Sequence, residues 1–146
     1  MKVWVTRSEP GATRLSDHLA QSGYEVVCKP VLSIEALIPQ LTPFNLVTDI
    51  IFLSEHAVSP GLDYLQMMGI DRSQITVFAV GPTTAKKLGQ YGIVPFLPTI
   101  NSSEGLLASS ELSAGLNRNI LILAGEGGRG LLESELARRG ANVMKR

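Results

Sequence analysis

The sequence predicts an α/β protein built around a parallel β-sheet, and two patterns support this fold class. Short apolar runs alternate with helical patterns of about 10 to 14 residues, as in β-α-β units. The apolar runs are continuous and do not alternate with polar residues, which is typical of strands in a sheet that helices cover on both faces. We therefore expect parallel strands joined by helices.

The first β-α-β unit is a strand at 2–6, a helix at 10–22 and a strand at 25–28. Leu15 and Leu19 lie four residues apart, which places them on one face of the helix, and a glycine follows as its C-terminal stop. Both strands are short apolar runs, so we expect them to be buried.

A connector is predicted between 30 and 43, because this stretch holds three prolines and shows little periodicity. Strands and helices alternate again after it, and Gly92 and Gly140 stop two of the helices. In chain order these elements are strand 49–53, helix 55–68, strand 74–80, helix 83–91, strand 94–97, a helix from Ser102 or Ser103 to about 112, strand 119–124 and helix 128–139. An apolar run at 141–144 then looks like a further strand that is cut short.

The composition argues against a non-specific nucleic-acid binder, a protein with internal disulfides and a membrane-spanning protein. The chain has 146 residues, enough for one ordinary domain, and its 13 basic and 13 acidic residues cancel, which argues against a non-specific nucleic-acid binder. Its single cysteine, Cys28, allows no internal disulfide and no cysteine-based metal site, and its apolar neighbours predict a buried side chain. No apolar run approaches the roughly 20 residues of a membrane span, and the first residues lack a signal-peptide core, so we expect a cytoplasmic protein without membrane partners.

Five loop-to-helix junctions carry the candidate binding residues. At each of them an apolar run ends in small or hydroxylated residues and opens directly into a helical pattern. Helix N-termini present unpaired N–H groups and a partial positive charge, which suit anionic ligands. The five segments are 3–11, 50–58, 77–88, 98–107 and 120–132. The sequence shows no strong acid–base cluster, so these junctions favour a protein that holds a polyanion.

The glycine-rich segment 125–130 fits the G-x-G-x-x-G pattern of a dinucleotide site, after a strand and before a helix. The acidic residue that would confirm such a site lies about 20 positions further on in known examples, and the chain ends before that point. An anion-binding loop or a simple tight turn explains the same residues. Gly125 and Gly127 would offer backbone N–H groups in the anion-binding case.

The hydroxylated residues at the other junctions also have two interpretations. Thr83 or Thr84 could bind an anion at the start of the helix that carries two lysines, or could cap that helix. The same two interpretations apply to Ser102 or Ser103 at the start of the next helix. Ser54 is most simply a cap. His56 follows it in the first helical turn with no carboxylate partner that the sequence specifies, so we assign it no catalytic role.

Thr6 and Arg7 follow the first strand. Ligands of open α/β sheets bind at the carboxyl ends of the strands, and an arginine there can contact a carboxylate or phosphate with two hydrogen bonds. A surface arginine without such a role fits equally well. None of the segments identifies a reaction.

Taken together and in order, six segments resemble uroporphyrinogen-III synthase. They are VTR at 5–7, PVLSIE at 30–35, DIIFLSEHAV at 49–58, VFAVGPTTA at 77–85, the run from GIVP to SSEGLL at 92–107, and the run from ILILAGEGGRGLL to LARRGANV at 120–143. No single segment is specific, whereas the ordered set spans essentially the whole chain.

The resemblance implies two α/β domains joined by a two-stranded connector. On this basis residues 1–34 are the opening, incomplete β-α-β piece of the first domain, and 35–146 form a nearly complete flavodoxin-like second domain. The implied sheet order in the second domain is 141–145, 119–124, 49–53, 75–80, 94–97. A rival arrangement places the strands at 2–6 and 25–28 in one sheet with those at 49–53, 75–80 and 94–97, and the sequence alone does not separate the two.

The resemblance also implies a lyase activity, namely closure of hydroxymethylbilane, a linear tetrapyrrole with eight carboxylates, to uroporphyrinogen III. Water is lost and the last ring is inverted, in haem and sirohaem biosynthesis, with no cofactor and no metal. Because the substrate is itself reactive, the enzyme mainly has to fold it into the right conformer and stabilise cationic azafulvene character. The residues expected to hold its propionate and acetate groups are Thr6, Arg7, Ser54, Thr83, Thr84, Ser102, Ser103, Gly125 and Gly127.

The chain departs from the family at its end. The family has a tyrosine, thought to assist loss of the hydroxyl, at a position that would lie beyond Arg146, so the catalytic residue stays unknown and we expect the 146-residue chain to be inactive or nearly so by itself. The family is monomeric, yet an incomplete first domain would expose apolar surface at 1–29 and favour self-association. Two other functions fit the residues. One is a non-catalytic flavodoxin-like module that binds a small anion or a protein partner, and the other is a nucleotide-dependent enzyme that uses 125–130.

Overall fold

The computed structural model describes residues 1–37, 46–113, 117–128 and 130–146. Residues 38–43 of the predicted connector lie outside the described residues. The chain divides into two compact units, Met1–Leu37 and Ile38–Arg146, so the predicted division at 34/35 falls three residues before the end of the first unit. Both units are α/β with parallel strands, which confirms the predicted fold class.

The first unit contains a strand, a helix and a second strand: β1 (Lys2–Val5), α1 (Gly11–Gln21) and β2 (Glu25–Cys28). The strands are parallel, and at their start the Lys2 ammonium lies 2.8 Å from the Glu25 carboxylate. The Glu9 carboxylate accepts hydrogen bonds from the backbone N–H and the hydroxyl of Thr13, at 3.0 and 2.8 Å, so it satisfies one free donor at the start of α1. Gly23 ends the unit's helical region with a φ of 85°, as the sequence predicts.

The strands of the first unit are only partly covered, which contradicts the expected burial of Cys28. Among their residues Val5 is buried, whereas Trp4 is 67% exposed and Cys28 is exposed. The sheet has two strands, and Cys28 is the last residue of a strand with a single neighbour, so nothing in the described unit covers its side chain. The expected exposure of apolar surface within 1–29 is confirmed at Trp4, Leu15 and Tyr24.

The described residues of the second unit contain four strands and four helices. They are β3 (Asp49–Phe52), α2 (Val58–Met67), β4 (Thr76–Ala79), α3 (Pro82–Gly89), α4 (Ser103–Leu107), β5 (Asn119–Leu123), α5 (Leu131–Arg138) and β6 (Asn142–Lys145), with short 3-10 turns at Glu55–Ala57, Arg72–Gln74 and Ser110–Leu112. The strand order is β4-β3-β5-β6 and all pairs are parallel, which confirms the order implied by the resemblance for these four strands. The rival arrangement is wrong, because β1 and β2 form a sheet of their own.

The predicted strand at 94–97 and the predicted helix to about 112 differ clearly from the structure, and the predicted helix 55–68 is a 3-10 turn at Glu55–Ala57 followed by α2. Residues 94–97 form a single bridge, Phe96 to Phe78, where the sequence predicts a strand, because Pro95 and Pro98 remove the N–H groups that a longer ladder would need. The predicted helix to about 112 ends at Leu107 and continues as a separate 3-10 turn. Here the Ser109 hydroxyl donates to the Leu106 carbonyl at 2.6 Å and so competes with the helical pattern.

The sheet of the second unit is covered on both faces. Ile51, Phe78, Ile120 and Ile122 face the helices α4 and α5, and their cluster includes Leu136. The alternate residues of the same strands, such as Ile50, Phe52 and Leu121, pack against side chains of α2 and α3. Successive strand residues therefore enter two cores, which explains why the strands are continuous apolar runs.

Candidate functional site

A cleft of about 270 Å³ lies at the carboxyl edge of the second unit's sheet. Segments that follow β3 and β5, the first residue of α4, the start of α5 and the end of β6 contribute to it. Its lining residues are Leu53, Ser54, Ser103, Ala124, Gly125, Glu126, Gly127, Gly128, Gly130, Leu131, Leu132, Glu133 and Lys145. This is the edge at which open parallel sheets bind ligands.

A glycine-rich loop forms one side of the cleft. Gly127, Gly128 and Gly130 have φ values of 82°, 93° and 63°, which side chains other than glycine rarely adopt. Gly130 is the N-cap of α5 and provides no side-chain cap. Leu131 and Leu132, which line the cleft, are the first two residues of α5, and N–H groups at this positive end of a helix have no intrahelical acceptors. Backbone donors and a bare loop let a ligand approach closely.

Lys145 is the one cationic residue among the described residues that line the cleft. It is the last residue of β6, and its ammonium donates to the Gly127 carbonyl at 2.7 Å and lies 3.1 Å from the Glu133 carboxylate. The side chains of Lys145 and Glu133 are each 27% exposed. Sequence reasoning did not select either residue, because the contact depends on the strand pairing of β6 with β5 and on the turn between β5 and α5.

Four of the predicted binding residues meet in this cleft, namely Ser54, Ser103, Gly125 and Gly127. Ser102 has a different task, because its hydroxyl accepts the Gly105 backbone N–H at 2.9 Å and caps α4. The capping interpretation of this junction therefore describes Ser102, and the binding interpretation fits Ser103.

The remaining predicted binding residues are not among the described residues that line this cleft. At the start of α3, Thr83 is exposed and Thr84 is buried at 4% exposure, and neither lines the cleft. Thr6 and Arg7 belong to the first unit and are exposed. The Arg7 guanidinium covers Gly11 so closely that a Cβ on the glycine would lie 2.6 Å from the arginine Nε.

Arg139 fixes α4, and with it Ser103, against α5. Its Nη1 donates to the carbonyls of Leu107, at 2.6 Å, and Leu112, and its Nε donates to the Glu135 carboxylate at 2.9 Å. These bonds join the end of α4 and the following 3-10 turn to α5, although the partners are far apart in the chain. The position of one wall of the cleft thus depends on a side chain outside it.

The residues that the structure describes, 1–37, 46–113, 117–128 and 130–146, contain neither a metal-binding cluster nor a membrane-spanning helix. Within them no group of three or more His, Cys, Asp and Glu side chains is placed to hold a metal ion. Within the same ranges no helix is both long enough and apolar enough to cross a membrane.

Comparison with known proteins gives the family. The family model described as uroporphyrinogen-III synthase HemD matches residues 13–146, nearly the whole chain. The chain belongs to the uroporphyrinogen-III synthase family. A uroporphyrinogen-III synthase from Proteus mirabilis is 29% identical over an alignment 154 positions long, which covers 98% of this chain and 76% of the relative.

Solved structures of the family share the fold. A wild-type uroporphyrinogen III synthase from the extremely thermophilic bacterium Thermus thermophilus superposes with a TM-score of 0.59 at 21% identity, over 99% of this chain and 59% of that chain. A second structure of the Thermus thermophilus enzyme gives a TM-score of 0.57 at 17% identity, over 99% and 60%. The chain therefore spans about three fifths of the length of these solved uroporphyrinogen-III synthases.

Proposed function

We propose that the chain carries out, as part of a uroporphyrinogen-III synthase, the closure of hydroxymethylbilane to uroporphyrinogen III. The observation that carries this proposal is the family match over residues 13–146. The reaction is a lyase reaction of tetrapyrrole biosynthesis that loses water and inverts the last ring. The cytoplasm is the compartment we assign to it.

The chemistry of the cleft supports a role in holding carboxylates. Its lining offers backbone N–H groups at the start of α5, the hydroxyls of Ser54 and Ser103, and the ammonium of Lys145. No histidine, cysteine or tyrosine is among its described lining residues. Its described titratable side chains are those of Glu126, Glu133 and Lys145, and we assign the site to positioning a reactive substrate and stabilising charge.

The size of the cleft indicates how much of the substrate it holds. Ligand sites usually measure about 300 to 1,000 Å³, and this cleft, at about 270 Å³, falls below that range. A linear tetrapyrrole with eight carboxylates is far larger than a typical small ligand. We therefore assign the cleft to one or two acetate or propionate arms, with the other arms held elsewhere.

Assay of the isolated 146-residue chain tests the proposed reaction. With freshly prepared hydroxymethylbilane, and protein and substrate at equal concentration, we expect isomer III above the spontaneous background. We also expect a rate about 100-fold or more below that of the Proteus mirabilis relative, because partial contact leaves the substrate poorly oriented. Chromatography that resolves isomers III and I gives both quantities. Isomer I alone, formed at the rate of a protein-free reaction, would refute the proposal.

Self-association is expected from the first unit. Trp4, Val31 and Leu32 are each at least two thirds exposed, at 67%, 69% and 70%, and burial of such side chains drives association. Sedimentation velocity at increasing concentration should show dimers or larger species, and Trp4→Ser should reduce them. A wild-type chain that stays monomeric throughout contradicts this expectation.

A further inference from the structure

The Lys145–Glu133 pair lies inside the cleft and not on a remote surface. Both side chains line the cleft, both are about a quarter exposed, and the ammonium and carboxylate are 3.1 Å apart. The same ammonium is fixed by the Gly127 carbonyl at 2.7 Å, so the cation stays at the glycine loop whichever carboxylate contacts it. Glu133 is the third residue of α5, where the helix end also favours an anion.

We propose that Glu133 is an internal competitor for the ligand, and that a carboxylate of the bound molecule exchanges with it on Lys145. This inference rests on the proposed function, because it takes the ligand to be a carboxylated tetrapyrrole. A carboxylate that enters the cleft meets the Lys145 ammonium and the N–H groups of the first turn of α5, and Glu133 already contacts that ammonium. Binding therefore includes the release of the Glu133 carboxylate to water, which its partial exposure permits.

A purely structural role of the pair leads to different expectations. If the pair only supported the fold, loss of either partner would destabilise the chain and weaken binding in the same direction. If Glu133 competes with the ligand, its neutralisation strengthens binding, whereas loss of Lys145 weakens it. The opposite signs separate the two roles.

The experiment is a fluorescence titration of the full 146-residue chain with uroporphyrin III, the stable oxidised macrocycle with eight carboxylates, at neutral pH and low salt. We expect Glu133→Gln to bind about threefold more tightly than the wild type, the gain typical of removing a competing, partly exposed ion pair. We expect Lys145→Gln to bind about tenfold more weakly, because a charge-assisted contact is lost. Lys145→Arg keeps the cation and should stay near wild type.

Glu126→Gln is the matched control. Glu126 lines the same cleft, and its neutralisation removes one negative charge without touching the pair. A gain for Glu133→Gln that Glu126→Gln does not share supports exchange on Lys145, whereas equal gains would reduce the effect to net charge and overturn the proposal. In a Lys145→Gln background Glu133→Gln should lose its benefit, because the contested cation is gone.

Urea unfolding of each variant shows whether it is folded. If Lys145→Gln does not fold, Lys145→Arg still tests the role of the cation. Weaker binding by Glu133→Gln, or no binding by either the wild type or Glu133→Gln, overturns the proposal. The titration needs no turnover, so its result is separate from the isomer assay. If Glu133→Gln and Lys145→Gln change binding in opposite directions but the chain forms no isomer III, carboxylate exchange is supported and the proposed reaction is refuted. If the chain forms isomer III but the two variants do not have opposite effects, the proposed reaction is supported and carboxylate exchange is refuted.

Discussion

Replacement of Gly105 by alanine is expected to destabilise the Ile38–Arg146 unit by about 3 kcal/mol, the upper end of the usual cost of overpacking. A Cβ at this position would lie 2.0 Å from the Ile100 carbonyl oxygen, inside the contact distance of real atoms. That carbonyl cannot move freely, because it accepts the Ser102 backbone N–H at 2.7 Å. The Ser102 hydroxyl in turn holds the Gly105 N–H, so the added methyl group forces apart a closed turn.

Urea unfolding followed by circular dichroism measures the effect, with Gly89→Ala as the matched control. Gly89 also lies in a helix of this unit, and a Cβ there would meet nothing within 4 Å. The control should therefore be neutral or more stable by up to about 1 kcal/mol, because alanine is the better helix former. Equal unfolding midpoints for Gly105→Ala and wild type would show that the turn at Ile100 opens without cost.

The elements predicted from local patterns agree best with the structure. β2 has the predicted limits of 25–28, and the glycines predicted to end helices at Gly23, Gly92 and Gly140 have φ values of 85°, 71° and 97°. These features depend on near neighbours in the chain, namely apolar runs and residues that tolerate a positive φ. The order of strands β4-β3-β5-β6 followed from the resemblance to the family and not from local pattern.

The candidate site was predictable in part. Ser54, Ser103, Gly125 and Gly127 meet because parallel strands place their carboxyl ends at one edge, so residues that follow different strands converge. Thr83 and Thr84 show the limit of this reasoning. They are adjacent at the start of α3 and equally suited to an anion by type, yet the helix turns one into the core and the other into solvent.

Side-chain contacts across long sequence distances were not predictable. Arg118 lies 3.2 Å from Asp49, a carboxylate that is 2% exposed and also accepts the Thr48 hydroxyl at 2.6 Å. Arg139 and Lys145 likewise find their partners only after the sheet and helices are packed. A sequence pattern reports the face of an element, whereas these contacts depend on how the elements pack and on the rotamers that result.

Arg138 and Arg139 are adjacent and share the Glu135 carboxylate, yet we expect their loss to affect the stability of the chain very differently. Arg139 also donates to the Leu107 and Leu112 carbonyls and its side chain is only 16% exposed, whereas that of Arg138 is 73% exposed. We expect Arg139→Met to lower the free energy of unfolding by about 2 to 4 kcal/mol, because carbonyls are left without donors. We expect Arg138→Met to lower it far less, because the Arg138 side chain is exposed and exposed ion pairs contribute little.

The dependence on pH distinguishes the two arginines further. Hydrogen bonds from Arg138, and next from Arg139, lower the pKa of Glu135 from 4.5 to about 2. A carboxyl whose pKa is lower in the folded chain stabilises that state above the unfolded pKa, and this contribution is lost as pH falls from about 4.5 to about 2. The loss of stability caused by Arg138→Met should therefore vanish as the pH approaches about 2. Most of the deficit of Arg139→Met should persist there, because its bonds to the two carbonyls do not titrate, and urea midpoints measured between these limits give both curves. If the loss of stability caused by Arg139→Met also vanishes at low pH, then Arg139 stabilises the chain through Glu135 and not through the Leu107 and Leu112 carbonyls.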